Sequence, residues 1–214
     1  MEKVYFYSAF IPIVAYSIIL HEIAHAVAAL WSGDDTAKLA NRITLNPIPH
    51  IDPFGTILLP GILILTSIIS KTPLVVFGWA KPVPVNPYRF RSPVKADIFV
   101  SMAGVITNLA LAFIFVLLLH LTNINNMNWS LFFSAAILNA LLAVFNLLPI
   151  PPLDGSHVFK YLLPKEIRPA YERMAMYGFF LVFIFLMVGR DLLHTMLFGL
   201  IRIIMFLCGH GWWS

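Results

Sequence analysis

Two histidines four residues apart, with a glutamate directly after the first, form the segment His21-Glu22-Ile23-Ala24-His25. On a helix, residues four apart lie about one turn apart on the same face, so both imidazoles can reach one metal ion. Glu22 then stands beside the ion, placed to hold a water and take its proton. The reading without a metal is a pair of interhelical hydrogen-bonding histidines beside a partly buried carboxylate. The setting argues for the metal. The segment interrupts an apolar run, Val4–Trp31, that is long enough to cross a bilayer with tilt. Ionisable groups at such depth are costly unless paired or coordinated, and by default they mark function.

The elements around this motif are set by composition. Of 214 residues, 60% are hydrophobic and 11% charged, where an ordinary soluble domain has about 45–50% and about 25%. The chain therefore reads as an all-α polytopic membrane protein, one integral-membrane domain over 1–214. Its catalytic core spans about 4–160 and a C-terminal helix pair about 174–207. The net charge of +4 is no nucleic-acid signal, because the basic residues cluster in the loops between apolar runs and report topology instead. A single cysteine, Cys208, excludes an intramolecular disulfide framework and a cysteine-built zinc site. No cleavable signal is expected, since the first apolar run is too long and carries the motif itself.

In chain order, Val4–Trp31 is the first spanning helix, with Pro12 inside it as a possible kink. Turn chemistry follows at Ser32-Gly33-Asp34-Asp35 and Asn46-Pro47. Phe54–Ile69 is short and broken in its middle by Pro60-Gly61, and Leu74–Ala80 is shorter still. The alternation and prolines of Lys81, Pro82, Val83, Pro84, Val85, Asn86 and Pro87 predict a small edge β-ribbon. Ala96–Leu121 and Trp129–Leu148 are strong spans joined by a tight polar turn, Thr122–Asn128. Pro149-Ile150-Pro151-Pro152-Leu153-Asp154-Gly155 cannot be regular helix. Backbone of that kind is tolerated at membrane depth only when it is buried in protein or lines a wet cavity. After the polar, basic stretch His157–Arg173, Ala175–Val188 and Leu192–Leu207 are the last apolar helices, and His210-Gly211-Trp212-Trp213 reads as an interfacial anchor. The expectation is five to six membrane helices plus a re-entrant or short-helix segment.

A catalytic zinc commonly takes three protein ligands and leaves a fourth position for water. His21 and His25 supply two. His120, His194 and His210 lie at helix ends or in the tail, where a solvated or hydrogen-bonded role is expected. Asp34, Asp35, Asp97, Glu166, Glu172 and Asp191 read as ordinary loop or helix-end charges. Asp154 differs, because it follows an apolar helix inside a proline-rich break with Gly155 next to it. Its alternative role is a helix-capping or turn aspartate.

Taken together, His21-Glu22-Ile23-Ala24-His25, the pair Gly104 and Asn108, and Asn146-Leu147-Leu148-Pro149-Ile150-Pro151-Pro152-Leu153-Asp154-Gly155 resemble the site-2 protease family of intramembrane zinc metalloproteases. The stretches 46–53 and 77–87 resemble a small prokaryotic-type branch of it, and the resemblance covers roughly residues 8–160. It implies one zinc ion held by His21, His25 and Asp154, with Glu22 as catalytic base. It implies that Asn146, and also Asn108, assist substrate or oxyanion. Many members carry proline where this chain has Val105, which should leave that helix straighter without touching the metal.

For Asp154 to join the histidines, the first helix and the 129–148 helix must run parallel, so an odd number of crossings must separate them. Ala96–Leu121 provides one, and 54–80 must then provide an even number, as a re-entrant excursion or a pair of crossings. The basic residues Lys38, Arg42, Lys71, Lys81, Arg89, Arg91, Lys95, Lys160, Lys165, Arg168 and Arg173 fall on one side, or all but Lys71 if 54–80 crosses twice, against Lys3 and Arg190 opposite. The crowded side is expected to be cytoplasmic, with the metal near it and the N-terminus outside.

The chemistry expected is hydrolysis of a transmembrane segment of a protein substrate in the bilayer. Lys81–Asn86 is expected to bind the unwound substrate by strand addition. His50 and Asp52 are turn residues or part of a gate. The competing function is a membrane metal-ion transporter or a metal-binding scaffold. A transporter should carry polar residues on both sides of the site, whereas Ile13, Val14, Ile114 and Val116 are typical of the outer half.

Overall fold

With no water in the hydrocarbon to bond exposed peptide groups, an apolar run satisfies its backbone internally by coiling into a helix. The computed structural model describes residues 2–71, 78–121 and 126–209, and all regular structure among them is helical. Among the described residues, five stretches are long and apolar enough to cross a membrane: Val4–Trp31, Pro53–Ser70, Pro93–Leu119, Asn128–Asn146 and Arg168–Val188. The helices are α1 (Glu2–Trp31), α2 (Thr36–Leu39), α3 (Leu59–Ser70), α4 (Pro93–Leu121), α5 (Asn126–Asn146), α6 (Asp154–Phe159), α7 (Arg168–Arg173), α8 (Gly178–Val188) and α9 (Arg190–Leu207). Most of the expected piece over 74–80, part of the turn at 122–128, the side chain of His120 and the tail from His210 lie outside the described residues.

α4 is the central helix, packed against α1 on one side and α5 on the other. Small residues permit the close approach: Ala112 on α4 and Ala136 and Ala140 on α5 are fully buried. With Val116 they meet Ile201, Ile204 and Met205 of α9 and Cys208 directly after it, forming one apolar cluster. A second cluster joins Ala28 and Ala29 of α1 to Phe90, Ala96 and Val100, with Val85 packed on it. The polar residues singled out above lie between these two clusters along α1 and α4.

The segment between α1 and α4 starts and ends at one place. Asp52 opens a π-helical turn, Pro53–Leu58, its carboxylate accepting from the Phe54 and Gly55 amides at 3.0 and 2.6 Å. Asp52 is thus a capping residue. α3 follows directly, and Pro60 stands in its first turn, where the missing N–H costs least. The helix is not broken there, contrary to expectation. On the return, the Trp79 amide donates to Gly55 O at 3.2 Å and the Lys81 amide to His50 O at 2.9 Å. Both ends of 51–80 therefore meet, which rules out a single crossing.

The expected β-ribbon does not form, since no strand is present among the described residues. In an extended 81–86, Pro82 and Pro84 would fall on one edge and strip it of donors, and a ladder needs donors. Side chains hold the segment instead, as a strap. Arg42, itself buried, donates to Lys81 O at 2.5 Å and Pro82 O at 3.1 Å. The Val83 amide donates to Glu22 Oε2 at 2.8 Å, and the Asn86 amide to Asp34 Oδ2 at 2.6 Å.

Asp34 is fully buried behind the turn in which Gly33 adopts a φ of 108°. Burial opposes its charge, but hydrogen bonds from Thr36 and from the Asn86 amide, with Arg89 nearby, hold its carboxyl below the ordinary range. Its hold on the strap is therefore complete above the ordinary aspartate pKa of about 3.9 and is lost as the pH falls through the lower folded value. Asp34→Ala is expected to cost about 1–3 kcal/mol and to abolish protection of the Asn86 amide in hydrogen exchange at neutral pH. Unchanged protection would show that the strap is held elsewhere.

Candidate metal centre

The helical repeat places Ser17, His21 and His25 in one stripe on α1, and Val100, Gly104 and Asn108 in one stripe on α4. The two stripes pair in antiparallel order. His25 Nδ1 lies 2.7 Å from Val100 O, and His21 Nδ1 lies 2.5 Å from Asn108 Oδ1. Between them stands Gly104, where a Cβ would come within 2.5 Å of His21 Cε1 and His25 Nε2. Only glycine leaves room for both rings against α4. With both Nδ1 atoms held by oxygen acceptors, both Nε2 atoms turn toward a common point.

The third group arrives from the end of α5. The proline-rich stretch stops that helix, and α6 begins at Asp154 with Leu153 before it and no side-chain cap. The Asp154 carboxylate is therefore not engaged in capping. Gly155 allows the return, since a Cβ there would meet Leu147 O at 2.1 Å. Asp154 Oδ2 lies 3.3 Å from His21 Nε2 and 3.4 Å from His25 Nε2, and the two Nε2 atoms are 3.0 Å apart. A tetrahedral ion with ligand bonds of about 2.0–2.1 Å keeps its ligand atoms about 3.3 Å apart. Asp154 Oδ2 is also buried without a hydrogen-bond partner, an arrangement that a cation in this triangle relieves. Two imidazoles and one carboxylate suit zinc, and the three residues can hold one metal ion.

The remaining candidates are placed as follows. Glu22 lies one residue after His21 and accepts from the Val83 amide through Oε2. Lys81, Pro82, Val83, Pro84, Val85 and Asn86 form the strap beside it. Asn108 is fully buried and both ends of its amide are engaged, Oδ1 with His21 and Nδ2 with Asn139 Oδ1 at 3.0 Å. Asn146 is half-buried and its Nδ2 donates to Leu142 O, one turn back, at 3.0 Å. His194 rests against the Phe198 ring on α9, apart from the triangle. His50 is buried, with Nε2 2.9 Å from Thr44 O, and supports the strap through its carbonyl.

Sequence reasoning missed four groups. Asp34 and Arg42 read as loop charges but are buried clamps on the strap. Asn139 carried no motif, and its only signal was an amide in the middle of an apolar span. Asp97 read as a helix-end charge, yet it collects Lys160 Nζ at 2.7 Å, Tyr161 Oη at 2.8 Å and His157 Nδ1 at 3.1 Å. It thereby ties α4 to the helical turns that follow Asp154. Burial opposes the charge on Lys160, but the Asp97 carboxylate and Glu172 raise its pKa above the ordinary value. Burial and the same Asp97 carboxylate push the Tyr161 phenol upward. At neutral pH the cation and the neutral phenol both remain available to Asp97.

Proteins similar to this chain carry names that point to zinc. The chain is 42% identical over 192 residues to "Putative zinc metalloprotease YwhC" of Bacillus subtilis, covering 85% of this chain and 82% of that protein. A sequence profile described as Peptidase family M50 matches residues 120–189. The chain belongs to peptidase family M50, the site-2 protease family. It is also 31% identical over 175 residues to "Putative zinc metalloprotease Rip2" of Mycolicibacterium smegmatis, covering 79% of this chain and 63% of that one. A shorter likeness, 39% over 62 residues, links it to "Putative zinc metalloprotease MJ0611" of Methanocaldococcus jannaschii. No solved structure matches. The M50 profile covers Asn146 and Asp154 but not His21–His25, so the convergence of the two segments in space is an independent observation.

The Gly104 contact yields a direct test. Gly104→Ala inserts a methyl group between the rings and is expected to lower zinc affinity about 10- to 100-fold. The overpacking should destabilise the fold by about 1–3 kcal/mol. Zinc titration and thermal melting of the purified protein read the two effects, and wild-type affinity in this variant would refute the tight fit.

Proposed function

We propose that this protein is an intramembrane zinc metalloprotease that cleaves transmembrane segments of membrane proteins near the cytoplasmic face. The observation that carries the reading is the triangle of His21, His25 and Asp154, with Glu22 directly after His21 on α1, inside a bundle of apolar helices. Zinc bound there supplies Lewis acidity to a water and to the scissile carbonyl.

The chain's own residues supply the rest. Glu22 takes the proton of the attacking water and delivers it to the leaving amine. The hydrogen bond from Val83 fixes Oε2, leaving Oε1 as the proton acceptor. Among apolar helices, the charge developing on the scissile oxygen is best met by a protein donor. Asn146 is our candidate, because it stands at the end of α5 where the chain turns toward Asp154 and one N–H of its amide is engaged with Leu142. Asn108 is assigned differently. Its Oδ1 lies against His21, its Nδ2 donates to Asn139 and the side chain is fully buried, so it is placed to orient His21.

The strap Lys81–Asn86 is our candidate substrate surface, because it is the segment that touches Glu22. Its donors at Lys81, Val83 and Asn86 are already bound within the protein. Substrate contact then runs through side chains and remaining carbonyls rather than a full ladder. A substrate helix must be unwound to expose its carbonyls, and an extended strap beside the base suits an extended partner. The excess of Lys and Arg in 32–95 and 155–174 supports a cytoplasmic position for that side, with the N-terminus outside.

The transporter alternative fits less well. The polar residues beyond the site, Asn108, Asn139 and Ser17, are buried and bonded in series to one another.

The test is cleavage of single-span substrates by purified protein in mild detergent. Glu22→Gln is expected to reduce turnover by at least about 100-fold, as loss of a general base does, while zinc stays bound. A chelator should abolish cleavage and added zinc restore it. Cleavage that survives both the substitution and the chelator would sink the proposal.

A further inference from the structure

A chain of four polar side chains runs from His21 into the apolar middle of the bundle. His21 Nδ1 lies 2.5 Å from Asn108 Oδ1, Asn108 Nδ2 lies 3.0 Å from Asn139 Oδ1, and Asn139 Nδ2 lies 3.0 Å from Ser17 Oγ and 2.9 Å from Ala135 O. Asn108 and Asn139 are completely buried, and Ser17 is 3% exposed. The residues come from three helices, α1, α4 and α5, and the chain closes back on α1 one turn before His21.

The direction of every bond follows from the metal end. To serve as a ligand, His21 Nε2 must present its lone pair toward Asp154 and His25, so the ring proton sits on Nδ1. Nδ1–H then requires an acceptor, which is Asn108 Oδ1. That choice turns the Asn108 NH2 group toward Asn139, which must answer with its carbonyl oxygen. Asn139 in turn points its NH2 group at Ser17 Oγ and Ala135 O, both of which can accept. If Asn139 were reversed, its NH2 would face that of Asn108, and the Ala135 carbonyl would face an oxygen. Ala135 O, a backbone acceptor that cannot become a donor, is thus the fixed end that sets the polarity of the whole chain.

We infer that Asn139, with Ser17 behind it, is a positioning residue that locks the Asn108 amide and through it the metal-binding tautomer of His21. The inference rests on the zinc reading proposed above. A residue that only glues α5 to α4 would need one hydrogen bond of either polarity. This one makes three, and they are mutually consistent with a single proton position on His21.

Two readouts separate the inference from the reading beneath it. The first is the imidazole nitrogen NMR spectrum of His21 in metal-free protein. Wild type is expected to show protonated Nδ1, and Asn139→Leu a mixture of tautomers. The second is zinc affinity, measured by competition with a chromophoric chelator. Asn139→Leu is expected to weaken binding by about 10- to 100-fold, the usual effect of removing a partner behind a ligand. Asn139→Asp should bind more tightly than Asn139→Leu, because a carboxyl buried there takes up a proton and keeps one acceptor and one donor. Ser17→Ala, which leaves Ala135 O in place, should lose only a few-fold and keeps the test alive if Asn139→Leu does not fold. Wild-type tautomer and affinity in Asn139→Leu, or equal losses in the Leu and Asp variants, would overturn the inference. Wild-type protein that binds no zinc would instead remove the protease reading, while the tautomer comparison still judges the relay.

Discussion

Burying two imidazoles and a carboxylate among apolar helices is tolerated only if their polar atoms find partners, because apolar side chains and hydrocarbon supply none. Each imidazole uses its Nδ1 on α4, one on the Asn108 amide and one on the Val100 carbonyl. What remains is two Nε2 atoms and one carboxylate oxygen pointing at each other. A divalent cation can satisfy all three together. The close approach of α1 to α4 at Gly104 is what allows this, and the reversal of the chain at Gly155 completes it.

The same economy of polar partners organises the loops. The strap has lost two backbone donors to proline, and those at Lys81, Val83 and Asn86 go to His50, Glu22 and Asp34. Glu22, next to the ligand His21 in sequence, is thus tied to the strap, and whatever moves the strap also moves the hydrogen bond on its carboxylate. On the opposite flank Asp97 gathers Lys160, Tyr161 and His157, so the segment that begins at Asp154 is anchored to α4 just beyond its contribution to the site.

Much of this was legible in the sequence. His21, Glu22 and His25 announce themselves by type and spacing, and the proline-rich break singled out Asp154 on local grounds. The requirement for parallel helices foretold that 51–80 must return to its starting side, as the bonds at Gly55 and His50 now show. The ribbon was misread because alternation and proline look alike in an edge strand and in a strap held by side chains. Only the partners, Arg42, Glu22 and Asp34, tell the two apart, and they lie 39 to 61 residues away in sequence. Asn139 and Asp97 were invisible for a related reason. An amide or a carboxylate within an apolar run signals that it has a partner without saying which one.

X-ray absorption at the zinc edge, on protein purified without added metal, reads the bound element, its ligand atoms and their distances together. The prediction is one zinc per chain in a four-coordinate shell of nitrogen and oxygen at about 2.0–2.1 Å with imidazole scattering, altered when Asp154 is replaced by alanine. Protein free of zinc, or a shell that does not change in Asp154→Ala, would contradict it.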